Sequence, residues 1–103
     1  LDLAEELGIA IVTLSAQPRS NKRSLLGQGP GRHATVLFPF DAAKNEIIKR
    51  RLSCFDLEFD SYAKGWICSV HCDEALEKFI RIILKCFNVA LVYDGGRTFL
   101  FYS

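Results

Sequence analysis

A chain of 103 residues is long enough for one hydrophobic core and too short for two. Half of its residues are hydrophobic and 24% are charged, which argues against disorder over most of the chain. No apolar run approaches the ~18 residues that a membrane-spanning helix needs. The formal net charge is +1, but the charge is unevenly placed. Between Arg19 and Arg51, eight basic residues (Arg19, Lys22, Arg23, Arg32, Lys44, Lys49, Arg50, Arg51) face only Asp41 and Glu46. A local surplus of this kind can create a positive face that the overall balance hides.

The first residues, Asp2–Leu7, read as a short helix whose acidic residues suit the positive end of the helix dipole. Gly8 interrupts it, and Ile9–Leu14 has the β-branched content of a strand. Gln17–Gly31 combines Gly, Pro and polar residues. With its flanks it is expected to be a basic, flexible loop over 17–33. Ala34–Phe38 is a nearly continuous apolar run and so an inner strand, ended by Pro39, which has no N–H for a ladder. Asp41 is placed to cap a helix running to Leu52 that would bury Ala43, Ile47, Ile48 and Leu52. Lys49, Arg50 and Arg51 fall in its last turn, where the dipole favours cations.

Phe55, Leu57 and Phe59 alternate with Asp56, Glu58 and Asp60, the period of a half-buried strand with one acidic face. Ser61–Gly65 makes a turn, and Trp66–Val70 returns as the next strand. From Asp73 a second helix is the strongest pattern in the chain. Leu76, Phe79, Ile80, Ile83, Leu84 and Phe87 share one face, with Glu74–Lys78 and Glu77–Arg81 as i, i+4 pairs elsewhere on it. Val89–Tyr93 and Arg97–Tyr102 flank Asp94-Gly95-Gly96, a hairpin signal. The order from residue 34 is βαββαββ. It predicts a single α+β domain over 1–103, two layers deep, with two main helices on one face of a mixed or antiparallel sheet. The ferredoxin-like split βαβ order is one arrangement compatible with it.

Chemistry of catalytic type is weakly signalled. Cys68-x-x-His71-Cys72 lacks the separated knuckle pairs that aim four ligands at zinc. The four cysteines (Cys54, Cys68, Cys72, Cys86) each sit in or beside apolar patterns and read as buried, reduced thiols. Gly27-Gln-Gly29-Pro-Gly31 leads into a strand rather than a helix, so it lacks the context of a phosphate loop. Cys72 beside His71 has no orienting third group for nucleophilic catalysis. The reading is a non-enzyme without cofactor or metal. With no secretory signal at the start, an intracellular (nuclear or cytoplasmic) setting is expected. The chain opens on Leu, as an excised or processed product would.

The positive signal is basic and aromatic. Lys64-Gly65-Trp66 places a cation, a turn residue and a large ring together. Trp can stack on bases and Lys can neutralise phosphate, although a Trp at the start of a strand also serves as a packing residue. Arg19, Lys22, Arg23 and Arg32 on the loop and Lys49, Arg50 and Arg51 on the helix end complete a candidate nucleic-acid-binding set with Lys64 and Trp66.

Phe38-Pro39-Phe40-Asp41, Glu46-Ile47-Ile48-Lys49, Phe59-Asp60, Lys64-Gly65-Trp66 and the helix from Asp73 occur in that order over about half the chain. This succession resembles the HARP domain, the HepA-related module found beside annealing-helicase motors. The resemblance implies a non-catalytic accessory domain that recognises structured DNA, such as forks or single-strand/double-strand junctions, within a larger remodelling or repair protein. The chain departs from that pattern at Phe55-Asp56-Leu57, which lacks the arginines often found before the turn. A second resemblance is to the RNA-recognition motif, carried by the βαββαβ order and by Lys64-Gly65-Trp66. Ile67-Cys68-Ser69 and Pro39 depart from that family's two motifs. The alternative to nucleic-acid binding is a protein-interaction or assembly module. For that, Thr98–Tyr102, apolar on both faces, would be an edge strand open to a protein partner.

Overall fold

The computed structural model describes residues 3–15, 32–61, 65–70, 72–93 and 96–102. In chain order the elements are α1 (Leu3–Leu7), β1 (Ala10–Ser15), β2 (Arg32–Leu37), α2 (Ala42–Leu52), a 3-10 turn at Ser53–Phe55, β3 (Glu58–Asp60), β4 (Gly65–Val70), α3 (Asp73–Leu84), β5 (Val89–Tyr93) and β6 (Thr98–Phe101). Six strands form one mixed sheet in the order β3-β4-β2-β1-β5-β6, and α2 and α3 pack on it to give the two-layer α+β arrangement.

Local chemistry explains most element ends. The Asp41 carboxylate accepts the Lys44 backbone N–H at 3.1 Å, satisfying one of the orphan donors of α2. The apolar stripe of α3 turns Leu76, Phe79, Ile80 and Ile83 into the core, and Arg81 closes on Glu77 at 2.6 Å on the solvent side. The β5–β6 hairpin is closed by Gly96, whose φ of +104° few L side chains adopt. Its N–H donates to the Tyr93 carbonyl at 3.0 Å, and the Tyr93 N–H donates to the Arg97 carbonyl at 2.7 Å.

The core lies between the helices and the sheet face carrying Ala10, Val12, Leu14, Ala34, Val36, Cys68, Val70, Val89 and Leu91. Against it lie Ile48 and Leu52 of α2 and the α3 stripe. Full burial of each large side chain contributes roughly 1.5–3 kcal/mol. Phe79 meets Phe55 edge to face at 5.5 Å, and Phe38 stacks with Phe87 at 6.3 Å.

The pairing departs from a ferredoxin-like sheet in one respect. β2 and β3 flank β4, all antiparallel neighbours, so the first split βαβ unit (β2-α2-β3) is formed. In the ferredoxin-like order β5 would then pair with β2. Here β1 occupies that place, antiparallel to β2 and parallel to β5. The N-terminal strand has the apolar alternation of an inner position, and insertion there buries Ala10, Val12 and Leu14.

Three local expectations are corrected. The segment from Phe55 is not a continuous strand. Phe55 reaches the core from the 3-10 turn, Asp56 turns the chain at φ +57°, and only Glu58–Asp60 pairs. In α2, Ala43 is exposed and Ile47 is 47% exposed. At 100° per residue the stripe through Ile48 and Leu52 leaves both pointing away. Of the four cysteines, none in a disulfide, Cys68 alone is buried, whereas Cys54 and Cys72 are exposed and Cys86 is half-buried. Residues 17–31 and His71 lie outside the described residues. Among the described residues no three His, Cys, Asp or Glu gather as metal ligands, and no helix is long and apolar enough to cross a membrane.

Candidate nucleic-acid interface

Chain direction decides which candidate residues share an end of the molecule. β2 starts at Arg32 and runs away from it. α2 then carries the chain back across the sheet toward β3, with Lys49, Arg50 and Arg51 in its C-terminal turn. β1 finishes where β2 begins, with Ser15 opposite His33. The end of β1 and the start of β2, between which residues 16–31 run, thus share one end of the sheet. Arg19, Lys22 and Arg23 belong to that joining stretch and lie outside the described residues.

Arg50 and Arg51 are exposed, with no carboxylate in ion-pair distance among the described residues. Their carbonyls are engaged: Ser53 Oγ donates to that of Arg50 at 2.9 Å, and Cys54 Sγ to that of Arg51 at 3.5 Å. These bonds fasten the last turn of α2 to the turn that follows, while the guanidinium groups stay available. Successive residues on a helix differ by about 100°, so Lys49, Arg50 and Arg51 fan across about 200° of the circumference rather than forming one row.

Lys49 is differently occupied. Its Nζ lies 5.2 Å from the centre of the Trp66 ring and 3.7 Å from Glu46 Oε2. A cation over an indole is worth about 0.5–1 kcal/mol at a partly exposed site, and a surface ion pair little more than that. Trp66 pairs directly with buried Val36 on one side and with Phe59 on the other, which puts its ring on the helix-bearing face of the sheet. There it is half-buried, with the Phe59 ring edge to face at 5.3 Å. This is chiefly a packing position. A base could stack on the indole only by displacing Lys49 or Phe59.

The face of β2 and β4 turned away from α2 and α3, called the open face below, carries His33, Thr35, Leu37, Ile67 and Ser69, all half-buried, with no Phe, Tyr or Trp among them. Sheet-face stacking of bases, the mode of the RNA-recognition motif, therefore has no aromatic platform on these two strands. β4 begins at the end opposite Arg32, where Gly65 pairs with Asp60. Lys64, the residue before it, lies outside the described residues. Gly65 has a packing reason of its own: a Cβ there would meet Leu37 Cδ2 at 2.7 Å and the Val36 carbonyl oxygen at 2.8 Å.

Two features escaped the sequence reading. Asp73 and Glu74, exposed in the first turn of α3, stand toward the end where Arg32 starts β2, because β4 delivers the chain there. They reduce the field that a tally of residues 19–51 implies. Lys44 lies over the Phe87 ring at 5.4 Å, so it too is engaged in packing. Neither is marked in sequence, because both depend on which ends of distant elements coincide. No protein-family model, no curated protein and no solved structure matches this chain.

Proposed function

We propose that this chain is a non-catalytic nucleic-acid-binding accessory domain, reading structured DNA in preference to RNA through the basic turn that ends α2. The observation that carries the proposal is the pair of exposed guanidinium groups, Arg50 and Arg51, that end α2 with no carboxylate in ion-pair distance among the described residues. The stretch that holds Arg19, Lys22 and Arg23 joins β1 to β2. Arginine on a fixed helix end suits phosphate, because its planar fork bonds two oxygens at once. Such contacts position a protein on a backbone without reading sequence. This matches a module that recognises the shape of a fork or junction for a larger remodelling or repair protein. Trp66 supports the interface by packing and by holding Lys49, not as a free stacking platform.

The test is fluorescence anisotropy with labelled forked, duplex and single-stranded DNA and a matched RNA. The proposal expects salt-sensitive binding with the fork bound most tightly. Equal weak binding to all four would reduce it to general affinity for phosphate, and absence of binding at low salt would refute it.

A further inference from the structure

The two edges of the sheet differ in a way that bears on self-association. β3 has only three residues, two of them acidic, and such short charged edges resist added strands. β6 and the residue after it, Thr98-Phe99-Leu100-Phe101-Tyr102, contain no charge, proline or glycine. Phe99 is 45% exposed, Leu100 56%, Phe101 36% and Tyr102 72%, so half of the large exposed apolar side chains of the described residues lie on this one edge.

The hairpin sets which backbone groups face outward. Tyr93 and Arg97 form a hydrogen-bonded pair, and the register then runs Val92–Thr98, Leu91–Phe99, Ala90–Leu100, Val89–Phe101. Bonded and non-bonded pairs alternate in an antiparallel ladder. Phe99 and Phe101 therefore bond to β5, and the N–H and C=O of Thr98 and Leu100 point away from the sheet. No described residue bonds to them.

We infer that this edge pairs with β6 of a second copy of the chain, antiparallel about a two-fold axis through Leu100. That register places Leu100 opposite Leu100 of the second copy as a hydrogen-bonded pair, the phase that the outward groups require. It also sets Thr98 opposite Tyr102 and Phe99 opposite Phe101. The axis is normal to the sheet, so the helices of both copies stay on one side. The aromatic pairs fall on the helix-bearing face, where Phe99 already meets Tyr93 edge to face at 5.5 Å. On the open face the facing leucines extend the row Leu37–Ile11–Ala90–Leu100 into the second copy. An identical partner fits because a neutral segment paired with itself brings no like charges together, and both faces of the seam are apolar.

Sedimentation equilibrium over a wide concentration range tests this, together with amide hydrogen exchange. The expected result is a monomer–dimer equilibrium in which the amides of Thr98, Leu100 and Tyr102 gain protection as concentration rises. Those of Phe99 and Phe101, already bonded to β5, should change little. Leu100→Lys, at an exposed position, faces two cations across the axis and should weaken the dimer by at least about tenfold with the melting curve of the monomer preserved. A monomer at every concentration overturns the inference. So does a dimer that Leu100→Lys leaves intact, or one whose new protection lies elsewhere. The inference is independent of DNA binding, because Leu100 is remote in the sheet order from the basic turn of α2.

Discussion

Gly65→Ala is the sharpest stability test of the described packing. The added methyl meets two atoms closer than real Cβ contacts come, Leu37 Cδ2 at 2.7 Å and the Val36 carbonyl oxygen at 2.8 Å. The first is the end of a side chain and can rotate away. The second is backbone in the last pair of the β2–β4 ladder, where Val36 pairs with Trp66, and can retreat only by straining that pairing. Overpacking of this sort costs typically about 1–3 kcal/mol, and the backbone contact argues for about 2. For a domain near 100 residues that corresponds to a fall in Tm of roughly 10 °C. Urea denaturation should show a lower midpoint with an unchanged slope. The double variant Gly65→Ala/Leu37→Ala should recover only the side-chain share, seen as a coupling energy smaller than the cost of Gly65→Ala alone. Stability of Gly65→Ala within about 0.5 kcal/mol of the parent would refute the reasoning.

Three further outcomes follow from single contacts. Asp41→Ala removes the 3.1 Å cap on the Lys44 N–H and should cost about 1 kcal/mol in denaturant midpoint analysis, with Asp41→Asn retaining most of it. Gly96→Ala forces a side chain onto φ +104° and should destabilise the domain by about 1–2 kcal/mol; exchange of the β6 amides should accelerate first, because the hairpin closes there. Glu74→Gln removes a carboxylate from the end where Arg32 starts β2 and should raise DNA affinity about twofold at low salt, an effect that fades as salt screens it; a fall in affinity in the same anisotropy titration would place the DNA elsewhere.

The elements were readable where one period dominated. The stripe of α3, the Asp41 cap and the hairpin around Gly96 all rest on residues within a few positions of each other, and local chemistry sets them. The pairing of β1 between β2 and β5 was not readable, because it is decided by burying Ala10, Val12 and Leu14 against elements up to 80 residues away. Phe55 misled for a related reason: period two fits a strand, but it also fits a 3-10 turn followed by a three-residue strand. At the candidate interface, the charge of Arg50 and Arg51 was plain in sequence. The engagement of Lys49 by Trp66 was not, since it needs the face on which Trp66 stands, and cross-strand register alone sets that. The opposing Asp73 and Glu74 were hidden likewise, being distant in sequence and near only through chain direction.

The measurement that bears most directly on the proposed function is the salt dependence of forked-DNA binding for the parent chain and for Arg50→Ala/Arg51→Ala. If both guanidinium groups contact phosphate, the double substitution lowers affinity at low salt and flattens the plot of log K against log salt by about two. Parallel plots of equal affinity, from a variant with an unchanged melting curve, would contradict the account and remove the end of α2 from the interface.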